Sequence, residues 1–240
     1  MSHTSIRELK KQSRTLLMGK HGALALVTFL MSVFHLVLLY AIDYAFPTLG
    51  SVFSYILYLV CSVLANMVYY ILLAGLYRLY LNLCRGWAWK PGDLFSAFSN
   101  HPEPAAIYSL LPFALQSIPG NLAVWILFQY LVSFSFSDIA TYLLLLVVVG
   151  IVTVWLQLGL SMVLYLYCDA PWKTARTLVR ESWKLMKGEK LRLFSLFLSF
   201  LGLNLLSLLS FGIGMLFVQP YVYVTETLFY MDLTKNRSEF

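Results

Sequence analysis

Trp172-Lys-Thr-Ala-Arg-Thr-Leu-Val-Arg-Glu-Ser-Trp-Lys-Leu-Met-Lys-Gly188 is a basic segment whose apolar residues recur at helical spacing. Ala175, Leu178, Val179, Trp183 and Met186 fall on one face of a helix. Lys173, Arg176, Arg180, Lys184 and Lys187 fall largely outside that face. An uninterrupted apolar run, Leu191 to Phe211, comes next. It is long enough to cross a hydrocarbon core of roughly 30 Å at roughly 1.5 Å per residue. Phe211-Gly-Ile-Gly214 turns the chain into a second apolar run that carries Pro220 and Glu226 and ends at Tyr230-Met-Asp232. The unit is an interfacial amphipathic helix followed by a membrane hairpin, and the rest of the chain reads as looser versions of it.

Composition carries the same message. Of 240 residues, 60% are hydrophobic and 12% are charged, and that charged share is about half the usual figure for a soluble domain. Too little polar surface exists to cover a water-soluble globule, so lipid is part of the solvent. The fold class expected is an all-α polytopic bundle of six transmembrane helices, forming a single integral membrane domain over 1–240. Cys61, Cys84 and Cys168 are odd in number and sit in or at the ends of spans, which argues against a disulfide framework.

In order, interfacial helices are expected at about 4–20, 91–100 and 172–188. Spans are expected at about 22–44, 51–83, 105–133, 139–167, 191–211 and 215–230. Ser5 and Glu8 have the spacing of a capping box, and the segment they open reads as a helix flat on the membrane rather than a cleaved signal peptide. The second span exceeds a minimal crossing, which implies tilt or a helical extension into the cytoplasm. Pro112, Pro119, Gly120 and Pro220 are expected to kink or break their helices, because each proline removes an intrahelical bond. A broken third span would line a cavity; a kinked one would simply pack.

Topology follows from the basic residues. All 17 Lys and Arg lie in four places: Arg7 to Lys20, Arg78 to Lys90, Lys173 to Arg192, and Lys235 with Arg237. A six-span threading puts these on one face, opposite loops that hold Asp43 and Asp138. The positive-inside rule then makes that face cytoplasmic, with both termini inside a bacterial cytoplasmic (inner) membrane. Basic residues that hug the ends of apolar runs suit anionic lipid of the cytoplasmic leaflet, and no separate basic domain exists to hold nucleic acid.

The pattern admits a threefold hairpin repeat over about 4–83, 88–168 and 172–233. Gly75 recurs as Gly159 and Cys84 as Cys168 at one offset, and Leu17-Met18 recurs as Leu185-Met186 at twice that offset. Repeats in transporters often place the substrate site at their interface.

Arg180-Glu-Ser-Trp-Lys-Leu-Met-Lys-Gly188, Phe200 onward, Gly212-Ile-Gly214, and Pro220-Tyr221 with Phe229-Tyr230 carry a family resemblance. The chain resembles the bacterial integral membrane proteins catalogued as domain of unknown function nine-seven-five. More distantly, it looks like the membrane region attached to some glycerophosphodiester phosphodiesterases. The resemblance covers most of the chain, with its sharp motifs in the last third, and it implies a six-helix membrane bundle. It brings no established activity and no catalytic residues to carry over.

Chemistry is sparse. Glu226 is the one acid well inside an expected span, and an intramembrane carboxylate is a functional hypothesis by default. It would carry a proton, bind a cation, pair with a basic residue, or reach the cytoplasmic interface near Asp232. His35, Asn66, Asn121, Gln157 and Asn204 are also intramembrane polar groups, suited to interhelical hydrogen bonds or to a shared polar cavity. Ser195, Ser199 and Gly202 form a small-residue stripe, for close helix packing or a partner helix. Lys173, Arg176, Arg180, Lys184 and Lys187 are the candidate contacts to anionic lipid. No Ser/His/Asp order, paired carboxylates, metal spacing or phosphate loop appears, so no catalytic, cofactor or metal residues are expected. The leading expectation is a non-enzymatic, permease-like or accessory component handling a lipid, small molecule or partner membrane protein, or assembling as a homo-oligomer. The alternatives are a transporter or channel with a polar path through Glu226, and a structural or immunity-type membrane binder.

Overall fold

Long apolar runs with few charges can satisfy their backbone only as helices, and the fold consists of them. A computed structural model describes residues 4–46, 51–133, 136–210, 212 and 214–237. The helices are α1 (Ile6–Leu17), α2 (His21–Ala45), α3 (Val52–Cys84), a 3₁₀ turn (Pro91–Phe95) continued by α4 (Ser96–Ser99), α5 (Glu103–Ser133) and α6 (Phe136–Leu160). They continue as α7 (Val163–Asp169), α8 (Ala175–Leu185), α9 (Lys190–Leu198), α10 (Leu201–Leu209) and α11 (Met215–Arg237). No strand occurs among the described residues. Among the described residues, four stretches are long and apolar enough to cross a membrane: His21–Ala45, Val52–Cys84, Leu143–Asp169 and Lys190–Leu209. The expected spans at 105–133 and 215–230 are not among these four.

The helical interruptions are not where the prolines are. α5 continues through Pro112, Pro119 and Gly120, and α11 continues through Pro220. Each proline deletes one bond from a long ladder, and the bonds on either side hold the helix. The interruptions fall instead at Ser161–Met162 and at Ser199–Phe200. Ser161 Oγ donates to the Leu158 carbonyl at 2.9 Å, and Ser199 Oγ to the Leu196 carbonyl at 2.5 Å. These i−3 bonds compete with the helix ladder. Met162 and Phe200, the next residues, are fully buried and anchor the two bends. The expected fourth and fifth spans are thus each two helices.

α3 shows where the core lies. Its first half is open, with Val52, Phe53, Ile56, Val60 and Leu64 exposed, whereas Ile71 to Leu76 and Leu79 to Leu81 are buried. Around that second half pack α5, α7 and α11, and Val163, Leu164 and Tyr165 of α7 meet Val224, Phe229 and Tyr230 of α11 in one core. Two of the cysteines tie the same helices. Cys168 Sγ donates to the Ala74 carbonyl at 3.4 Å and Cys84 Sγ to the Val224 carbonyl at 4.0 Å, and all three cysteines are free thiols.

The amphipathic helices also bury apolar residues against the bundle. Leu9, Ser13 and Leu17 of α1 are buried, and α1 packs on α11. Leu178, Ser182 and Met186, four apart in the same way, are buried where α8 packs on α5, α6 and α7. Thr225 Oγ1 donates to Ser13 Oγ at 2.9 Å, and Ser182 Oγ donates to the Gly159 carbonyl at 2.8 Å. The segment 91–99 packs on α3 in turn. Gly75 is needed there, because a Cβ would overlap the Leu94 carbonyl. Gly159 is needed likewise, because a Cβ would overlap the Trp183 ring. An amphipathic pattern demands an apolar partner but does not say which, and here the partner is protein. At the start of α1, Ser5 Oγ accepts from the Glu8 amide at 3.2 Å, the cap that the sequence implies.

Candidate functional site

α11 alternates between residues whose polar groups are used and one whose group is not. Thr225 and Thr227 donate back to the carbonyls of Tyr221 and Tyr223, both at 2.7 Å. Tyr165 OH reaches Thr227 Oγ1 at 3.2 Å. Between these threonines stands Glu226, 6% exposed. Among the described residues it makes no hydrogen bond or ion pair.

Glu226 lines a cavity of about 400 Å³ enclosed by α3, α5, α6, α7, α9 and α11. Tyr70, Tyr77 and Tyr108 contribute aromatic walls, and Leu73, Leu158 and Leu164 contribute aliphatic ones. The polar lining is Glu226, Gln157, Ser161 and the tyrosine hydroxyls. Tyr108 OH is committed to the Leu160 carbonyl at 3.1 Å. The Tyr70 and Tyr77 hydroxyls make no hydrogen bond among the described residues. No Lys, Arg or His among the described residues lines the space. On its α6 and α9 side, the lining residues Val154, Gln157 and Phe194 are exposed.

The rings are mutually braced. Tyr70 meets Tyr108 edge-on at 5.8 Å between centroids, and Tyr77 meets Tyr165 edge-on at 4.5 Å. Tyr165 stacks on Tyr230 at 5.0 Å and Tyr223 on Tyr80 at 5.2 Å. Offset and edge-on pairs of this kind hold ring planes in fixed directions. The cavity wall is therefore stiff on the α3 and α11 sides.

A second polar region closes the helix ends beneath. Asp232 receives Thr4 Oγ1 at 2.6 Å and Arg192 Nη2 at 2.6 Å, and Arg192 Nη2 also donates to the Thr4 carbonyl at 2.6 Å. Burial alone pushes the Asp232 carboxyl up, but the Thr4 and Arg192 hydrogen bonds and the Arg192 charge outweigh it and hold the group below its ordinary range. Arg85 pairs with Asp169 at 2.8 Å, and Tyr230 OH donates to Asp169 at 2.7 Å. Lys10 donates to the Ser199 carbonyl at 2.8 Å and lies over the Phe200 ring at 3.9 Å. Burial, then repulsion from Arg14, lowers its ammonium below the usual value. These contacts bring together the start of α1 and the ends of α3, α7 and α11.

The residues flagged from the sequence divide clearly. Glu226 and Gln157 share the cavity. Asn66 does not join them; its Nδ2 donates to the Ser109 carbonyl at 3.0 Å and ties α3 to α5. His35 lies against Tyr69 at 3.8 Å between ring centroids, and its Nδ1 has no hydrogen bond among the described residues. Asn121 Nδ2 donates within its own helix to the Ser117 carbonyl, and Asn204 is half-buried on α10 outside the cavity lining. In the small-residue stripe Ser195 and Ser199 are exposed, and a Cβ on Gly202 would meet open space among the described residues.

Of the basic residues on α8 and its flanks, Arg176, Arg180, Lys184 and Lys187 are exposed, and Lys173 is half-buried against Glu181 at 2.7 Å. Lys190 is different. It is buried, with Nζ 3.5 Å from the Trp183 ring centroid and 4.4 Å from that of Trp155, a cation–π clamp between α6, α8 and α9. The tyrosine walls and this clamp were not legible as a site, although Tyr70, Leu73 and Tyr77 do have the spacing of one helix face. No three of the described His, Cys, Asp or Glu residues come together to hold a metal ion.

A family model described as "Protein of unknown function (DUF975)" matches residues 1–237. No curated protein and no solved structure matches the chain.

Proposed function

The chain belongs to the DUF975 family of proteins of unknown function, and, since no activity comes with that membership, we propose from geometry that it is a non-enzymatic, permease-like binding component of the bacterial cytoplasmic membrane. Its binding centre is the Glu226 cavity. One observation carries this: a nearly inaccessible carboxylate faces a cavity of about 400 Å³ without a partner among the described residues. Unpaired acids are costly in such surroundings, and they persist in membranes mainly on ligand, ion or proton paths. The support for entry from the lipid is that Val154 and Phe194, apolar lining residues of α6 and α9, are exposed.

Six spans with both termini inside complete the reading. The support is that Thr4, Arg85, Asp169, Arg192 and Asp232 meet at one end of the bundle, as the basic connections of a six-span threading require. The three-unit repeat also gains support. Each amphipathic segment rests on the last helix of the unit before it: 91–99 on α3, α8 on α6 and α7, and α1 on α11 to close the ring. The cavity then lies where the units meet, as in transporters built from repeats. Exposed Arg176, Arg180, Lys184 and Lys187 form a rim for anionic headgroups, near 1 kcal/mol per basic residue.

The test is cysteine accessibility. In a background lacking Cys61, Cys84 and Cys168, Ser161→Cys is expected to react with a small thiol reagent in intact membranes. Reaction only after denaturation would overturn the cavity as a binding centre.

A further inference from the structure

We propose that the Glu226 cavity recognises an ammonium cation, carried either by a free amine or by the headgroup of a membrane lipid. The proposal rests on the reading of the cavity as a binding centre and names what fills it.

The choice follows by comparing ligand classes against the lining. An anion would meet a carboxylate, and no Lys, Arg or His among the described lining residues would offset the repulsion. A metal ion bound by protein needs several hard oxygen or nitrogen donors converging on one point, and no three such side chains gather among the described residues. A neutral apolar molecule would leave the Glu226 carboxyl without a hydrogen-bond partner, at a cost of roughly 1–3 kcal/mol. An organic cation satisfies both halves of the site at once. Its charge pairs with Glu226, and its C–H or N–H groups lie on aromatic faces, which attract cations through the ring quadrupole. Tyr70, Tyr77 and Tyr108 supply such rings around the same space. Their mutual edge-on packing, and that of Tyr77 with Tyr165, fixes those rings before the ligand arrives.

Size and access fit the same class. A cavity of about 400 Å³ lies at the small end of ligand sites, roughly 300–1,000 Å³. It holds an ammonium group with short substituents. Val154, Gln157 and Phe194 are the exposed lining on the α6 and α9 side, and an acyl tail leaving there would remain in lipid, which is why a headgroup and a free amine satisfy one chemistry.

The test uses the full-length protein with Ser161→Cys in the cysteine-free background, reconstituted in bilayers of phosphatidylglycerol only. The readout is the rate of thiol labelling at that position. One arm adds tetramethylammonium chloride against sodium chloride at equal ionic strength. A second arm replaces part of the lipid with phosphatidylcholine, the headgroup source. Saturable slowing of labelling at least ~5-fold in either arm is expected, and its arm identifies the source. Adding Glu226→Gln is expected to abolish protection, whereas Glu226→Asp retains part of it. Tyr77→Leu is expected to weaken protection several-fold and Tyr77→Phe to leave it, and this pair decides the matter if Glu226→Gln does not fold. Labelling that neither arm slows, in a protein whose Ser161→Cys does label, overturns the ammonium assignment and leaves the cavity reading intact. Protection that survives both Glu226→Gln and Tyr77→Leu overturns the assignment too. Absence of any labelling before denaturation overturns both.

Discussion

Asp232 and Glu226 stand on the same helix about one and a half turns apart, and their surroundings are opposite. Asp232 collects a threonine hydroxyl and an arginine, both at 2.6 Å, and fastens the first described residues of the chain to the start of α9 and the end of α11. Glu226 collects nothing among the described residues and faces a space lined by tyrosines. Local sequence does not explain the contrast, since both acids follow hydrophobic or hydroxyl residues on a continuous helix. Position explains it: α1 and α9 begin beside Asp232, and the cavity falls beside Glu226. A carboxylate given partners stabilises the bundle. One withheld from partners costs stability and is available to a ligand.

The sharpest way to break the comparison is to make Asp232 resemble Glu226. Arg192→Ala takes the guanidinium charge and its hydrogen bond away from the Asp232 carboxylate, in a pair whose side chains are only 17% and 12% exposed. Removing one member of such a pair costs about 3 kcal/mol. Thermal or denaturant unfolding of the purified protein is expected to show that loss for Arg192→Ala. The double variant Arg192→Ala with Asp232→Ala should recover part of it. Equal stability of wild type and Arg192→Ala would mean that the pair fastens nothing.

How much of this contrast could be read in the sequence depends on the range of each contact. The long apolar helices were legible because their character is local: a run such as Leu143 to Val149 has no other stable fate in lipid. Glu226 was legible as an oddity, an acid in an apolar run. Its tyrosine walls were not, because Tyr70, Tyr77 and Tyr108 come from two helices and tyrosine in a membrane protein has ordinary packing and interface roles. The clamp on Asp232 was hidden for the same reason, since Thr4 lies 228 residues away. A proline's missing donor is visible in sequence, yet α5 and α11 continue through theirs, while the serine back-bonds at Ser161 and Ser199, where helices do stop, look like any serine in a helix. The protein neighbours of α1 and α8 were not legible from their apolar faces, since packing on lipid and on protein imposes one pattern.

A smaller effect is expected from the other direction, by removing charge at Glu226. Glu226→Gln keeps the shape of the side chain and deletes the charge that nothing described offsets. Its unfolding transition is expected to stay in place or rise by up to ~1 kcal/mol, in contrast to Arg192→Ala. The informative result is the pairing of that stability with lost cation protection at Ser161→Cys. A drop of several kcal/mol instead would show that Glu226 has a structural partner after all, and the two acids would no longer differ in kind.

The smallest expected effect is a difference in acid response. Asp232 is held below its ordinary value in the folded protein, because its hydrogen bonds and the Arg192 charge outweigh burial. A group with a lowered folded pKa binds protons more readily when unfolded, so its stabilisation is present above about pH 4 and is lost as pH falls through the folded value. Wild type is therefore expected to lose more stability between pH 6 and pH 3 than Asp232→Asn does. Glu226→Gln should retain the wild-type Asp232 contribution, because that variant leaves the clamp untouched. The effect is modest, since burial opposes the hydrogen bonds within the same group, and other carboxylates titrate in the same window. Subtracting the Asp232→Asn curve from the wild-type curve isolates it. Superimposable acid limbs for those two proteins would mean that the clamp does not hold Asp232 ionised, and its contrast with Glu226 would reduce to accessibility alone.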